Sequence, residues 1–451
     1  MKKKFSLSGM PDFHSLQMKR REYILSVIKK HFELYAFSPI ATSLIEKRDN
    51  LFGNYGDDGD QLIFQILRSG DYLRKIDKND INMNFSELSQ RISDKALRYD
   101  LTVPFARFLA ENRSSINLPF RRYEIGPVFR ADRPQRGRLR QFTQCDADII
   151  GSGSLWSEIE LIHLIDTILN DLGLKDIIIK ISNRKILEGI FQSFSIDLNF
   201  SKFCIIIDKL DKLGLDKVVA LLLDYGFPKE GVSFIKNLFL LDSSFEEKKK
   251  FILSQIKLNE NLKSGFQELE FIIDNVVNKK LSIQLQIDFS LARGIDYYTG
   301  TIIEVISSKT NLGSLVGGGR YDQLTEKFNV KDISGVGISF GLDRLFLALN
   351  DASLFPDLLD RSIEYLFLNF GSEEARLAYS YMMELRELNI SCELYPEAVK
   401  INKQMNYADK RGAKFVVMIG EEEMEKNKIT VKNMNNGEQK VLSFKELIKS
   451  L

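Results

Sequence analysis

Residues 121–150, RRYEIGPVFRADRPQRGRLRQFTQCDADII, contain the stretch that decides the fold class of this chain. Two runs rich in β-branched and aromatic residues, Tyr123–Arg130 and Arg140–Ile150, flank Ala131–Leu139, which includes a proline and a glycine. Strand-forming residues on both sides of a turn-forming segment predict a β-hairpin with a long loop.

The loop of this predicted hairpin is rich in arginine and has a single opposing acid, Asp132. Such a cluster is often no more than a solvated basic turn. Alternatively, it is a clamp for a polyanion, because arginines can bind phosphate oxygens bidentately and lysines cannot. The arginines that would form this clamp are Arg130, Arg133, Arg136, Arg138 and Arg140.

The strand after the loop carries polar residues on one face. Side chains alternate along a strand, so Gln144, Asp146 and Asp148 share a face, and Gln144 lies roughly 13 Å from Asp148. Polar groups over that span could hold both ends of a small, doubly charged ligand, or they could be the wet face of an edge strand. A run that alternates over Arg98–Val103 predicts another strand, with Asp100 and Thr102 as a similar pair.

Three further segments have unusual compositions. Residues 292–300, ARGIDYYTG, combine two glycines, a cation, an anion and two tyrosines, and residues 317–322, GGGRYD, allow a ligand close to the backbone. The predicted helix Leu342–Asn350 has Arg344 in its first turn, where the helix dipole disfavours a cation. Arg344 therefore needs a partner there, such as a phosphate.

The whole-chain composition excludes several classes of protein. The 451 residues include 63 Lys+Arg and 62 Asp+Glu, a net charge of +1 that speaks against a generally basic nucleic-acid coat. The 3 cysteines are scattered, so neither a zinc ribbon nor a disulfide scaffold is predicted, and we expect no protein-held metal site. The chain lacks a signal-peptide core and a membrane-length apolar run, which favours a cytoplasmic protein with no membrane partner.

The remaining segments outline the domain organisation. Apolar residues at helical spacing predict a helix from about Leu16 to Tyr35, which Pro39 follows. Residues 185–280 are rich in Leu, Ile, Phe and Lys at helical spacing and predict a helical domain. From Ile363, a strand–helix–strand–helix–strand pattern predicts an α/β module of roughly 90 residues.

Taken together, these segments resemble the histidyl-tRNA synthetase family of class II aminoacyl-tRNA synthetases. Residues 129–142 resemble motif 2 of class II, Gly335–Arg344 resembles motif 3, and Pro39 resembles the proline of motif 1. The segments that narrow the resemblance to the histidine enzymes are 97–107, 144–146, 293–298 and 318–322.

The resemblance implies a role for each matching residue. Arg130, Arg138 and Arg344 would bind ATP, with Arg130 also catalytic, and Arg293 would be the catalytic arginine near the α-phosphate. The residues that would bind histidine are Asp100, Thr102 and Gln144 at its α-amino group, with Asp148 and Tyr298 at its imidazole nitrogens.

The resemblance also implies an α+β fold, in which helices flank a mostly antiparallel sheet. The expected division is a catalytic core in residues 1–184 and 281–350, a helical insertion in 185–280, a linker in 351–362 and a C-terminal α/β anticodon-binding domain in 363–451. Implied partners are L-histidine, ATP with Mg²⁺, tRNA(His) and a second copy of the chain in a homodimer.

The chain departs from the family pattern in a few places. Met10-Pro11-Asp12 replaces the more usual Gly-Thr-x-Asp, Leu139 stands where an aromatic is common, and positions 100 and 148 are Asp where many relatives have Glu. An alternative is the catalytically inert paralogue that regulates ATP phosphoribosyltransferase. That paralogue typically lacks the C-terminal domain and the arginine of the tyrosine motif, both of which are present here.

Overall fold

The structure is a computed structural model that describes residues 5–73, 76, 85–194, 198–277, 281–292, 297–310, 312–360 and 363–451. The chain divides into two compact units. The larger unit comprises residues 1–14 and 21–354, and the smaller comprises residues 15–20 and 355–451. The finer division into core, insertion and linker stays a prediction. No helix in the described residues is both long and apolar enough to cross a membrane.

The strands and helices are numbered along the chain. The strands are β1 Ser38–Pro39, β2 Ile45–Lys47, β3 Gln65–Ile66, β4 Lys95–Leu97, β5 Phe120–Phe129, β6 Gln141–Ile150, β7 Ile177–Asn183, β8 Gln284–Ile287, β9 Thr301–Ser307, β10 Val316–Tyr321, β11 Gly335–Gly341, β12 Ile363–Phe367, β13 Cys392–Leu394, β14 Ala413–Met418, β15 Ile429–Asn433 and β16 Gln439–Leu442. The helices are α1 Ser15–Leu34, α2 Arg48–Leu51, α3 Gly56–Asp60, α4 Phe85–Ile92, α5 Thr102–Glu111, α6 Trp156–Asp171, α7 Arg184–Ser193, α8 Phe200–Ile207, α9 Leu210–Leu213, α10 Leu215–Asp224, α11 Lys229–Leu240, α12 Phe245–Gln255, α13 Glu260–Val277, α14 Leu342–Asp351, α15 Ser372–Glu387, α16 Ile401–Arg411, α17 Glu421–Glu425 and α18 Phe444–Lys449.

An eight-stranded sheet in the order β1-β5-β6-β11-β10-β9-β7-β8 organises the larger unit. The outermost pairs, β1 with β5 and β7 with β8, are parallel, and the five pairs between them are antiparallel. The predicted hairpin is confirmed as β5 and β6, which pair from Phe120 opposite Ile150 to Phe129 opposite Gln141. The expected α+β fold with a mostly antiparallel sheet is therefore confirmed.

The predicted strand over Arg98–Val103 is wrong. The chain leaves β4 after Leu97, turns, and enters α5 at Thr102. Asp100 lies in the turn, and its Oδ1 accepts a hydrogen bond from the backbone N–H of Val103 at 3.1 Å. An acidic side chain that satisfies a donor in the first helical turn stabilises the start of a helix. The short alternating run did not reveal this local capping.

Helices account for the stretch that the sequence predicted to be helical. The range from Arg184 to Val277 contains α7 to α13 and the loops between them, and residues 195–197 lie outside the described set. Phenylalanine rings pack together within these helices, with Phe203 5.0 Å from Phe227 and 5.1 Å from Phe191 between ring centroids. Aromatic packing therefore contributes to the contacts between these helices.

The smaller unit is built on a five-stranded mixed sheet in the order β13-β12-β14-β15-β16. Strands β13 and β14 pair in parallel with β12, so the expected strand–helix–strand–helix–strand pattern is β12, α15, β13, α16 and β14. Two antiparallel strands, β15 and β16, extend it.

Gln404 on α16 supports the centre of the smaller unit. Its side chain is fully buried, accepts a hydrogen bond from Asn369 N and donates to Asn369 O and Val399 O, each at 2.8 Å. We expect Gln404→Ala to lower the free energy of unfolding of the smaller unit by about 2–3 kcal/mol, because buried backbone groups lose their partners.

Urea unfolding followed by two probes measures this change. Trp156, the single tryptophan of the chain, lies in the larger unit, so its fluorescence reports the unfolding of that unit. Far-ultraviolet circular dichroism reports the unfolding of both units. The circular dichroism transition of Gln404→Ala should begin at lower urea while the fluorescence midpoint stays in place. Lys403→Ala, at the exposed neighbouring position, is the matched control. Equal midpoints for both variants would contradict the prediction.

Candidate active site

A cavity of about 430 Å³ in the larger unit brings together the residues that the sequence analysis selected. The described site residues all line it, namely Asp100, Thr102, Arg130, Arg138, Gln144, Asp148, Tyr298 and Arg344. Arg293 lies outside the described residues. Ile205, Asp208 and Lys209, from the helical stretch, also line the cavity. The residues come from separate parts of the sequence, and the sheet brings them to one place.

The floor of the cavity is the polar face of β6. Each of its residues lies opposite one residue of β5 and one of β11: Gln144 faces Gly126 and Gly341, Asp146 faces Glu124 and Ser339, and Asp148 faces Arg122 and Gly337. Both aspartates are almost fully buried. The alternative that these polar residues form the solvated face of an edge strand is therefore wrong, because β6 lies in the interior of the sheet.

Residues of three other strands, β5, β10 and β11, surround the side chain of Asp148. Its Oδ1 accepts a hydrogen bond from the hydroxyl of Tyr321 at 2.5 Å, and its Oδ2 lies 2.8 Å from Nη2 of Arg122. Gly337 leaves the space that the carboxylate occupies, since a Cβ there would lie 1.9 Å from Oδ1. Burial raises the pKa of Asp148, and the positive charge of Arg122 opposes that rise.

Asp146 is a second acid on the same face. Burial, together with the negative charge of Asp148, raises its pKa to about 8, although Arg122 and a hydrogen bond with Ser339 work in the opposite direction. Asp100 approaches from the turn before α5 and accepts a hydrogen bond from Tyr55 at 2.9 Å. The cavity thus concentrates carboxyl groups beside β6, a setting suited to a cationic ligand group.

The end of the cavity near Gln144 carries arginine. Arg130 Nη2 lies 3.5 Å from Gln144 Oε1, and the guanidinium lies 4.3 Å from the ring centroid of Tyr99. Arg138 in the loop pairs with Asp132 at 3.3 Å. Among the residues that line the cavity, Arg130 therefore lies near Gln144, and Asp146 and Asp148 follow further along β6.

Arg344 connects α14 to the arginine-rich loop. Its Nε donates to the carbonyl of Gly137 at 2.8 Å, and its Nη1 donates to the carbonyl of Ser314 at 2.6 Å. These carbonyls supply partners for the cation in the first helical turn, a role that the sequence analysis assigned to a phosphate. The same contacts hold the loop beside the cavity.

Several cavity residues received no role from the sequence. Tyr55 lies in a stretch with no recognisable pattern, and Tyr297 and Tyr321 lie inside segments that were selected as a whole. Arg122 lies opposite Asp148 only because of the hairpin register. A loop of nine residues does not fix that register, so the sequence carried no signal for the pair.

Comparisons with known proteins agree with the resemblance. The family model of histidyl-tRNA synthetase matches residues 82–345, and the anticodon-binding domain model matches residues 367–451. Histidine–tRNA ligase of Christiangramia forsetii is 45% identical, covering 97% of each chain, and that of Flavobacterium johnsoniae is 44% identical, covering 98% of each. The crystal structure of histidyl-tRNA synthetase from Nostoc sp. PCC 7120 covers 100% of both chains with a TM-score of 0.80 at 30% identity.

The close contact of Gly337 with Asp148 makes a testable prediction. In Gly337→Ala the new methyl group displaces the carboxylate, which Arg122 and Tyr321 otherwise hold in place. We expect histidine, the ligand that the resemblance implies, to bind about tenfold more weakly or worse, because small misplacements of a binding group are costly.

Calorimetric titration with histidine measures this effect. Gly153→Ala is the matched control, because a Cβ at Gly153 meets nothing within 4 Å. Equal histidine affinity for Gly337→Ala and the original chain would show that the position of Asp148 does not matter for this ligand.

Proposed function

Because this chain belongs to the histidyl-tRNA synthetase family, we propose that it activates L-histidine with ATP and then transfers the histidyl group to the 3′-terminal ribose of tRNA(His). The observation that carries the proposal is the cavity that holds acids at one end of β6 and arginine at the other. A zwitterionic amino acid with an imidazole and a polyanionic nucleotide need such an arrangement.

Activation requires no nucleophile from the protein. The histidine carboxylate attacks the α-phosphorus of ATP, the bond to the bridging oxygen breaks, and pyrophosphate leaves with that oxygen. The protein must position two anions and stabilise charge on the phosphoryl oxygens. The proposed phosphate ligands are Arg130, Arg138 and Arg344. Arg293 is proposed to act on the α-phosphate in the transition state.

Side-chain selection follows from hydrogen bonding. A neutral imidazole has one N–H donor and one nitrogen acceptor. Asp148 Oδ2 is buried and has no hydrogen-bond partner among the described residues, and it is proposed to accept the imidazole N–H. Tyr298 is proposed to bind the second nitrogen. Asp100, Thr102 and Gln144 are proposed to bind the α-ammonium group, where a nearby anion is favourable.

Mg²⁺ is expected with ATP, as part of the substrate. The described residues contain no group of three or more His, Cys, Asp and Glu side chains that could hold a metal ion. The nearby acids Asp132 and Asp343 are paired with Arg138 and Arg21. Binding through phosphate oxygens and water is the usual mode for Mg²⁺ on a nucleotide.

The smaller unit is proposed to bind the anticodon of the tRNA, which is consistent with the family model that matches residues 367–451. A homodimer and a cytoplasmic location remain predictions from the family resemblance. The alternative of a regulatory paralogue is not favoured, since the relatives that match 97–98% of the chain are named histidine–tRNA ligases.

Pyrophosphate exchange with each amino acid in turn tests the proposed function. We expect exchange of labelled pyrophosphate into ATP with histidine and not with the other amino acids. Charging of tRNA(His) with labelled histidine then tests the second step. Absence of exchange with histidine would overturn the proposal.

Variants of the imidazole-binding residues test the site. We expect Asp148→Ala and Tyr298→Phe to raise the histidine KM by about tenfold or more and to change the ATP KM much less, because a site that loses its hydrogen-bond partner discriminates poorly. Steady-state exchange with each substrate varied in turn measures both constants. Equal changes in the two KM values would count against this pocket.

A further inference from the structure

The two oxygens of the Asp148 carboxylate have different surroundings. Oδ1 accepts the hydroxyl hydrogen bond of Tyr321 at 2.5 Å. Oδ2 lies 2.8 Å from Arg122 Nη2, but no hydrogen bond of acceptable geometry reaches it from a described residue. Tyr321 thus fixes Oδ1 by a hydrogen bond, while Oδ2 is buried beside the positive charge of Arg122 and has an unused acceptor position.

Arg122 is unusual for a buried arginine. It is 0% exposed, its Nη2 donates to the carbonyl of Leu101 at 3.2 Å, and its Nε and Nη1 lack hydrogen-bond partners among the described residues. The guanidinium also lies 4.3 Å from the ring centroid of Phe105. Burying a cation with so few hydrogen bonds is costly, so the positive charge of Arg122 needs a nearby negative charge to offset that cost.

The ionisable groups around Asp148 identify the negative charge that Arg122 compensates. Among the described residues, the ionisable groups that act on Asp148 are Asp146 on the same strand, Arg122 and Glu124 on β5, Asp100 from the turn before α5, and the hydroxyl of Tyr321 on β10. Glu124 already has a cation, since Arg98 lies 2.8 Å from it and Arg122 lies 3.8 Å away. Arg122 is the one cation among these groups.

We propose that Arg122 is a positioning residue for amino-acid selection, which keeps Asp148 ionised and presents its Oδ2 to an imidazole N–H. The inference rests on the proposed function, in which Asp148 binds the imidazole. An ionised carboxylate accepts a hydrogen bond at Oδ2. A carboxyl group protonated at Oδ2, the oxygen that does not accept from Tyr321, would present an O–H donor to the imidazole N–H, and an unmade buried hydrogen bond is costly.

Arg122→Met tests the proposal by removing the charge while keeping an apolar chain of similar length against Phe105. We expect the histidine KM in pyrophosphate exchange to rise about tenfold or more, with little change in the ATP KM, because the buried carboxylate loses its compensating charge. Arg122→Lys retains the charge and should recover part of this loss. Failure of Arg122→Met to raise the histidine KM would overturn the proposal.

The pH dependence of kcat/KM for histidine separates this role from a structural one. Loss of Arg122 removes the charge that holds the pKa of Asp148 down, so the acid limb of the profile should move to higher pH in Arg122→Met and stay near its original position in Arg122→Lys. The titration of the substrate imidazole is common to all variants, so a difference between them reports the protein. An unmoved acid limb would contradict the proposal.

A double variant keeps the test decisive if Arg122→Met does not fold. Arg122→Met/Asp148→Asn removes both charges and leaves no uncompensated ion, and replacement of both partners is far less damaging than removal of one. Its histidine KM should match that of Asp148→Asn alone. A further large rise would show that Arg122 acts independently of Asp148.

Two comparisons separate failure of this inference from failure of the proposed function. If Asp148→Asn leaves the histidine KM unchanged, the proposed role of Asp148 fails. If Asp148→Asn raises it and Arg122→Met does not, only the role of Arg122 fails. Arg320→Met is the matched control, because Arg320 pairs with buried Glu158 at 2.6 Å and does not line the cavity. It should lower the Tm and leave the histidine KM unchanged.

Discussion

The buried carboxylate of Asp148 is the constraint on which the centre of the large sheet depends. A carboxylate removed from water is tolerated only with a compensating charge and hydrogen bonds. Each of three other strands meets one part of this requirement: β5 supplies the charge of Arg122, β10 supplies the hydroxyl of Tyr321, and β11 supplies the space at Gly337. Antiparallel register places Arg122 and Gly337 directly opposite Asp148. The register of the strands therefore also determines the surroundings of the Asp148 carboxylate.

The same strand also explains how one cavity can receive ligand groups of opposite charge. Gln144 lies near Arg130, whereas Asp146 and Asp148 follow on the same face at two-residue steps. A reaction between two bound anions needs position and charge stabilisation, which side chains on a rigid sheet can provide. The reaction needs no thiol nucleophile. Cys145 lies next to the polar face and is fully buried, and burial raises the pKa of its thiol far above the ordinary range. It has no part in the proposed chemistry.

Local patterns predicted those parts of the fold that local interactions determine. The helix from Leu16, the hairpin around the arginine-rich loop and the C-terminal βα pattern are strongly periodic and are present as α1, β5–β6 and β12–β14. The prediction for Arg98–Val103 failed because Asp100 caps α5, and a short alternating run cannot express that contact. The partner of Asp148 was equally out of reach, since the long loop leaves the register of the hairpin open. Contacts that depend on the register between paired strands produce no periodic pattern in the sequence.

Arg344 shows how the structure changes the meaning of a feature that the sequence detects. A cation in a first helical turn is unfavourable, so the sequence predicts that Arg344 has a partner there, such as a phosphate. In the structure two backbone carbonyls, those of Gly137 and Ser314, already compensate this charge. Gly137 has a φ of +74°, a conformation that glycine adopts at little cost and that few other residues adopt. Because the arginine holds this turn of the loop, a phosphate bound at Arg344 would also be held beside Arg138. The residue therefore couples α14 to the loop before any nucleotide arrives, so that less ordering of the loop remains to be done on binding.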